Sequence, residues 1–289
     1  MFTKKSKEYA YSQNFIFNKH LLEKLITYSG ISSGDLVIDI GAGLGSITDI
    51  LINRRCKVIA VEIDPNLYCK LAKRHTNSKY FIGFNKDFLD IDLPNNKYKI
   101  FSNIPFNYSS RIIKKLYFDS NISFPDTSYL VVQDEFYKKY SGIGRETMNS
   151  ILLKPFFKVV KKFEFRRSDF IPKPSVKVVL MAIFKRHKTL VPVSQRSEFN
   201  DFICFIYNLW RPNTKSVLRE IFTDNQINKL SSDLKIDPNL CINTLTFNQI
   251  LGIYNFYSKR LPGITLIEPG YYKKYREKEI YLSKVYRTR

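Results

Sequence analysis

"DLVIDIGAGLGSITDILINR", residues 35–54, decides the fold. The run "LVIDI" is short, apolar and rich in β-branched residues, as a buried strand is. Gly41, Gly43 and Gly45 follow at once, and "SITDILINR" then carries apolar residues at helical spacing. A strand, a glycine turn and a helix in so few residues make the opening unit of an α/β sheet. The pattern continues downstream. "KVIAVEID" (57–64) reads as a second strand, with a helix opening at Pro65 and running through "NLYCKLAKR". "KYFIGF" (79–84), "YKIFSNI" (98–104) and "SYLVVQDE" (128–135) read as further strands, and "SSRIIKKLYF" (109–118) as the helix after the fourth. Strands alternating with helices predict a doubly wound, mostly parallel sheet with helices on both faces. Ligands of such sheets bind beyond the carboxyl ends of the strands.

The flanks are less regular. Ahead of the sheet, "NKHLLEKLI" (18–26) predicts a helix with Asn18 as N-cap. "GIGRETMNS" (142–150) reads as a loop. The strand-like "KPFFKVVKKFEF" and "VKVVLMAIFKR" bracket "FIPKPS" (170–175), whose prolines require an extended turn. The division expected from the change of pattern is an α/β domain over 1–188, a helical domain over 189–263 beginning with the linker "TLVPVSQ", and a tail over 264–289. The tail holds seven Lys or Arg against three Glu, with five Tyr. Basic residues interleaved with aromatics suit single-stranded RNA, and a solvated appendage is the competing reading.

With 47 basic against 26 acidic residues in 289, the formal net charge is +21. Such a surface favours polyanions, nucleic acid first; an abundance of Lys, Asn and Ile codons is the rival explanation. The four cysteines show no C-x-x-C spacing and the three histidines are scattered, so neither a disulfide framework nor a metal site is expected. No apolar run approaches the about 18 residues of a membrane span, and the first residues lack the apolar core of a signal peptide. A soluble, cytoplasmic monomer is the expectation.

The glycine turn is not a dinucleotide fingerprint, because Ser46 stands where the third glycine belongs. "DIGAGLG" resembles instead the acidic-x-Gly-x-Gly-x-Gly turn of S-adenosylmethionine-dependent methyltransferases. Glu62, closing the second strand, can accept both ribose hydroxyls of an adenosine. Asp64, on the other side of the chain, suits a helix N-cap. Asp87, after the third strand, can accept the adenine amino group, and Phe88 can flank the ring. Each has a bland reading as a turn residue; the ordered set after strands one, two and three is harder to reach by chance.

"SNIPFNYS" (102–109), after the fourth strand, completes the set. A purine amine is a poor nucleophile because its lone pair is conjugated with the ring. Asn103 offers a side-chain carbonyl, and Ile104, held extended by Pro105, offers its backbone carbonyl as a second acceptor. Phe106 presents a flat face to a base drawn out of its stack, worth about 1–3 kcal/mol.

Assembled, these residues resemble the rRNA adenine N6-methyltransferase family, both its erythromycin-resistance and its small-subunit dimethylating branches. The resemblance runs over about 12–185 through "SQNFIFNKHLLEKLI", "DIGAGLG", "VEID", "NKDFLD", "FSNIPFNYSSRIIKKL", "LVVQDE" and "FIPKPSV". It implies a Rossmann-like class I methyltransferase sheet with a small C-terminal helical domain, S-adenosylmethionine as cofactor and ribosomal RNA as partner. It implies that Asn14 and Ile16 close over the methionine end of the cofactor with Gln13 supporting that lid, that Gly41, in the turn with Gly43, lies under its carboxylate, and that Glu62 takes the ribose and Asp87 the adenine. Asn103 then sits between cofactor and target. "NIPF", "FDS" at 118–120 and the basic surface lean towards the erythromycin-resistance branch, whose members methylate one adenine of 23S rRNA and so block macrolide, lincosamide and streptogramin B binding. The alternatives are a small-subunit dimethyltransferase of ribosome maturation and a non-catalytic nucleic-acid-binding relative on this fold.

Overall fold

The computed structural model describes residues 14–119, 123–259 and 267–285. They fall into two compact units: one holds the described residues up to Tyr137 and Lys158–Lys185, the other Lys138–Phe157 and those from Arg186 onward.

The first unit is built on a seven-stranded sheet. After the two-residue strand β1 (Phe15–Ile16) come α1 (Lys19–Tyr28), β2 (Leu36–Ile40), α2 (Ser46–Asn53), β3 (Lys57–Val61), α3 (Pro65–His75), β4 (Phe81–Phe84), β5 (Lys99–Asn103), α4 (Ser109–Lys114) and β6 (Thr127–Gln133). The chain continues through α5 (Asp134–Ser141), α6 (Met148–Leu153), β7 (Phe157–Phe165), β8 (Phe170–Ile171) and β9 (Val178–Lys185). The strand order is β4-β3-β2-β5-β6-β9-β7. β2, β3, β4, β5 and β6 pair in parallel with their neighbours, while β9 runs antiparallel to β6, with Leu130 opposite Met181. This is the mixed, parallel-dominated sheet that the alternating pattern predicts.

Strands buried on both faces read as unbroken apolar runs. Val37, Ile38 and Ile40 of β2 are almost wholly buried. Leu22 and Ile26 from α1 and Ile47, Ile50 and Leu51 from α2 share one core with Val37, Val58, Phe101 and Leu180. Each such side chain contributes about 1.5–3 kcal/mol by leaving water. The helix starts follow local chemistry. Asn18 accepts the Leu21 N–H at the head of α1, and Asp64 accepts those of Asn66 and Leu67 ahead of Pro65. Both caps are those expected from the sequence.

Chain order runs outward from β2 to β3 and β4, then returns to the other side of β2 with β5. The strand order therefore reverses between β2 and β5, which opens a crevice at their carboxyl ends. Their ladder pairs Val37 with Lys99 and Ile38 with Ile100. Two residues on, the Ser102 hydroxyl takes over: it accepts the Ile40 N–H at 2.9 Å and donates to the Ile40 carbonyl at 2.6 Å. A side chain thus satisfies both backbone groups at the mouth of the crevice while the strands part.

Four features depart from the sequence reading. β1 pairs antiparallel with β8, Phe15 opposite Ile171 and Ile16 opposite Phe170, joining segments far apart in sequence. Asp134 and Glu135, read as the end of a strand, open α5, and Met148 to Ser150, read as loop, open α6 under a Thr147 cap. The helix after β5 widens into a single π turn, Lys115–Asp119.

The second unit adds α7 (Arg196–Asn208), α8 (Thr214–Leu218), α9 (Asp224–Asp233), α10 (Phe247–Ser258) and α11 (Tyr271–Val285). Its core is aromatic: Phe199 and Phe202 of α7 meet Tyr254 edge to face, at ring-centre distances of 4.9 and 5.5 Å. α11 belongs to the basic tail and is anchored to α7. The buried Asp201 carboxylate accepts the Gly270 N–H at 2.9 Å and the Tyr272 N–H at 2.8 Å. Phe205 packs edge-on against Tyr271. Among the described residues no helix is long and apolar enough to cross a membrane, and no group of His, Cys, Asp or Glu is arranged to hold a metal.

Candidate cofactor and target site

One cavity lies at the crevice. Asn14, Gly41, Glu62, Asp87, Phe88, Asn103, Ile104, Pro105 and Phe106 line it, together with Phe15, Ile63, Lys86 and Ile112. Ile16 and Gly43 are not on its wall. Ile16 lines a smaller neighbouring cavity beside the glycine turn, with Phe15, Gly41 and Asn103. Gln13 lies outside the described residues.

The glycine turn is tied to β3. The N–H groups of Gly41 and Ala42 both donate to the Val61 carbonyl, at 2.8 and 3.0 Å. Gly41, Gly43 and Gly45 all take positive φ, which other residues rarely adopt. The turn is also close-packed. A Cβ on Gly41 would stand 3.3 Å from Cδ of Pro105, and one on Gly43 only 2.9 Å from the Phe15 ring. Bare backbone is thereby brought against β1 on one side and the "NIPF" corner on the other.

Glu62 is 2% exposed. One carboxylate oxygen accepts the Gly43 N–H at 2.8 Å and the other the Asp64 N–H at 2.9 Å. Burial pushes its pKa up, and these backbone donors oppose that shift. Each oxygen carries a second lone pair, so a carboxylate fixed in this way still has acceptor capacity for two hydroxyls. Beneath it, Asp39 is fully buried and accepts the Thr48 hydroxyl at 2.8 Å. Burial, helped by repulsion from Glu62, raises the Asp39 carboxyl to about 7 against the pull of the Thr48 hydrogen bond.

Asp87 is nearly buried and caps the short 3-10 turn Phe88–Asp90 by accepting the Leu89 N–H at 3.0 Å. Phe88 packs behind it, 5% exposed. Lys115, in the π turn, reaches this wall: its ammonium lies 5.2 Å from the Phe88 ring centre and donates to the carbonyls of Leu89, at 2.8 Å, and Ile91. Desolvation lowers the Lys115 pKa, while Asp90, Asp92 and Asp87 oppose the shift.

At the end of β5 the Asn103 side-chain nitrogen donates to the Asn14 carbonyl at 2.6 Å. Only the amide nitrogen can donate to a carbonyl, so this contact settles which end of the side chain faces Asn14. It leaves Oδ1 as the acceptor end. Pro105 is extended (φ −58°, ψ 124°), and its carbonyl accepts from Tyr108 N–H and the Ser109 hydroxyl. Ile104 is buried, and Phe106 is half-buried at the start of a 3-10 turn.

Three contributors were not singled out from sequence: Phe15, Ser102 and Lys115. Only the pairing of Phe15 with Ile171 puts its ring on Gly43. A serine inside an apolar strand was the available signal for Ser102.

Comparison with known proteins agrees with this geometry. Residues 4–259 match the family described as ribosomal RNA adenine dimethylase. An rRNA adenine N-6-methyltransferase of Limosilactobacillus reuteri is 32% identical over 248 residues, which is 85% of this chain and 95% of the relative. One of Escherichia coli is 30% identical over 87% of this chain and 97% of its own length. A ribosomal RNA small subunit methyltransferase A of Ureaplasma urealyticum is 27% identical over 86% and 91%. Among solved structures, the 23S rRNA methyltransferase ErmE superposes with a TM-score of 0.75 at 20% identity, covering 85% of this chain and all of that one. The chain belongs to the ribosomal RNA adenine dimethylase family, as an rRNA adenine-N6 methyltransferase.

Proposed function

We propose that the chain methylates the N6 amino group of an adenine in 23S rRNA, with S-adenosylmethionine as donor, and so confers resistance to macrolide, lincosamide and streptogramin B antibiotics. The observation that carries this reading is the anchored Asn103, whose amide nitrogen is spent on Asn14 at 2.6 Å. Asn103 lines the same cavity as Gly41 and Glu62, with Oδ1 as its acceptor end.

The residues present fit the cofactor: a glycine turn too tight for a Cβ, and a buried carboxylate oriented by two N–H groups. When bound, S-adenosylmethionine supplies an electrophilic methyl group on a sulfonium. Asn14, Ile16 and the Gly41–Gly43 turn hold its methionine end, Glu62 accepts from the ribose, and Asp87 with Phe88 holds the adenine. Asn103 Oδ1 and the Ile104 carbonyl accept the two N–H groups of the target amine. Two acceptors favour a pyramidal nitrogen and take its lone pair out of conjugation. Phe106 stacks on the target base, and Pro105 keeps the Ile104 carbonyl turned outward. Catalysis of this kind is positioning and polarisation, so no side chain has to act as a strong base.

Relatives named for 23S and for small-subunit RNA methylation both resemble this chain, so a small-subunit dimethyltransferase is the second reading. Labelled methyl transfer to each RNA in turn separates them, and primer extension then maps the base. Label in the large-subunit RNA alone is the expected outcome; label confined to the small-subunit RNA would overturn the 23S assignment.

A further inference from the structure

Trp210 is the one tryptophan of the chain and is 99% exposed, the most exposed of its large apolar side chains among the described residues. An indole is costly to leave in water and is enriched where proteins meet partners. Nor does it sit on a loose tip. The Arg211 N–H donates to the Leu209 carbonyl at 2.9 Å, closing a three-residue turn with Trp210 at its centre. On one side Asn208 is tied back to the Cys204 carbonyl at 2.7 Å. On the other, Arg211 is held by Glu220 through Nε at 3.0 Å and Nη2 at 2.5 Å. Pro212 follows, and Asn213 caps α8 by accepting the Ser216 N–H at 2.9 Å. Four constraints hold out one aromatic ring that none of the described residues covers.

We infer that Trp210 is a stacking platform for an unpaired base of the rRNA substrate, a base other than the one methylated. The partner class follows from charge. Arg211, Lys215 and Arg219 follow the ring within nine residues; Glu220 pairs with Arg211 and Asp224 with Arg219, which leaves Lys215 outside these pairs, on a chain of formal charge +21. A polyanion that also offers flat apolar faces fits this combination, and unpaired RNA is such a partner. The inference rests on the rRNA-methyltransferase reading and adds a second contact, carried by the helical unit.

The sole tryptophan makes the test direct. The full-length chain is titrated with a large-subunit rRNA transcript that it methylates, and indole emission is followed under excitation where tyrosine contributes little. Emission should be quenched with the midpoint found by filter binding, and a fully paired RNA duplex should quench less. Trp210→Ala should raise KM for the transcript about tenfold, within the roughly 5- to 150-fold range for loss of one stacked base, with kcat little changed. Trp210→Phe should recover most of the loss. Unquenched emission at saturating RNA, or an unchanged KM in Trp210→Ala, overturns the inference while leaving methylation standing. Quenching by ribosomal proteins but not by the transcript overturns it as well. A wild-type chain that methylates no rRNA at all overturns the reading beneath it instead.

Discussion

The two units hold polar side chains by the same backbone hydrogen bonds and place them differently. In the sheet unit, Glu62, Asp87 and Asn103 sit at the ends of strands, fixed by backbone partners yet facing a cavity. In the helical unit the buried carboxylate Asp201 likewise gives each oxygen one N–H, from Gly270 and Tyr272 at the start of α11, but it lines neither cavity at the crevice. Desolvating a carboxylate costs several kcal/mol unless it is well hydrogen-bonded. The helical unit offsets that cost wholly within its own architecture. In the sheet unit Glu62, Asp87 and Asn103 are held in the same way but line a cavity, which is what a site for a hydroxyl-rich, amine-bearing ligand requires.

The sharpest break of this contrast is Asn103→Ala. It removes an acceptor proposed to act on the target amine, so methyl transfer should fall by more than about 1,000-fold, in the upper range for removal of one positioned polar group. Cofactor affinity, measured by calorimetry, should drop far less, and thermal stability should barely move. Equal losses in transfer and cofactor affinity would assign Asn103 to binding rather than to the target.

Next in size is the pH dependence of Asp39. Its folded pKa of about 7 lies above the unfolded value of 3.8, so between them the folded chain holds the extra proton. The stabilisation is fully present below about pH 4 and is lost as pH rises through about 7, amounting to up to about 4 kcal/mol. Asp39→Asn should flatten that slope and raise Tm at pH 8, because the neutral amide can still accept from Thr48. A slope unchanged in the variant would place the titration elsewhere.

Asp201→Ala probes the other unit. It strips two N–H groups of their acceptor, at a cost of about 1–3 kcal/mol. Hydrogen exchange should speed up in α11, while kcat on rRNA stays close to wild type. A large loss of kcat would erase the distinction between architectural and functional carboxylates.

How much of this was legible in the sequence follows from distance along the chain. That Glu62, Asp87 and Asn103 meet at one cavity was legible because each stands at the end of an apolar run of strand length, and a parallel sheet delivers all strand ends to one edge. Asp64 and Asn18 were legible as caps for the same local reason. Phe15 and Ser102 were not, since their roles depend on which strands become neighbours: Phe15 reaches Gly43 only once β1 pairs with β8, and Ser102 reaches Ile40 only across the β2–β5 switch. Nor did the pattern show that residues 138–157 group with the C-terminal helices, because the helical and strand signals there alternate too quickly to mark a boundary. In the tail, charge and tyrosine content masked an ordinary docked helix.

Lys115 is the finest test of the comparison, because it is a charged group in the sheet unit that lines no wall of the main cavity. Its ammonium bridges the carbonyls of Leu89 and Ile91 and covers the Phe88 ring, so it holds the 3-10 turn carrying Asp87 and Phe88 against the π turn. A cation in that place acts on the cofactor only through the wall it braces. Lys115→Met keeps the aliphatic stem and removes the charge, and should raise KM for S-adenosylmethionine by about three- to tenfold, the equivalent of about 1 kcal/mol, with kcat and KM for rRNA unchanged. Lys115→Arg, which can still donate to both carbonyls, should restore most of the affinity. If the methionine variant instead lost kcat at saturating cofactor, the brace would be acting on the target side of the crevice. Glu62, Asp87 and Asn103 would then have to be read as one coupled unit rather than as separate holders of cofactor and base.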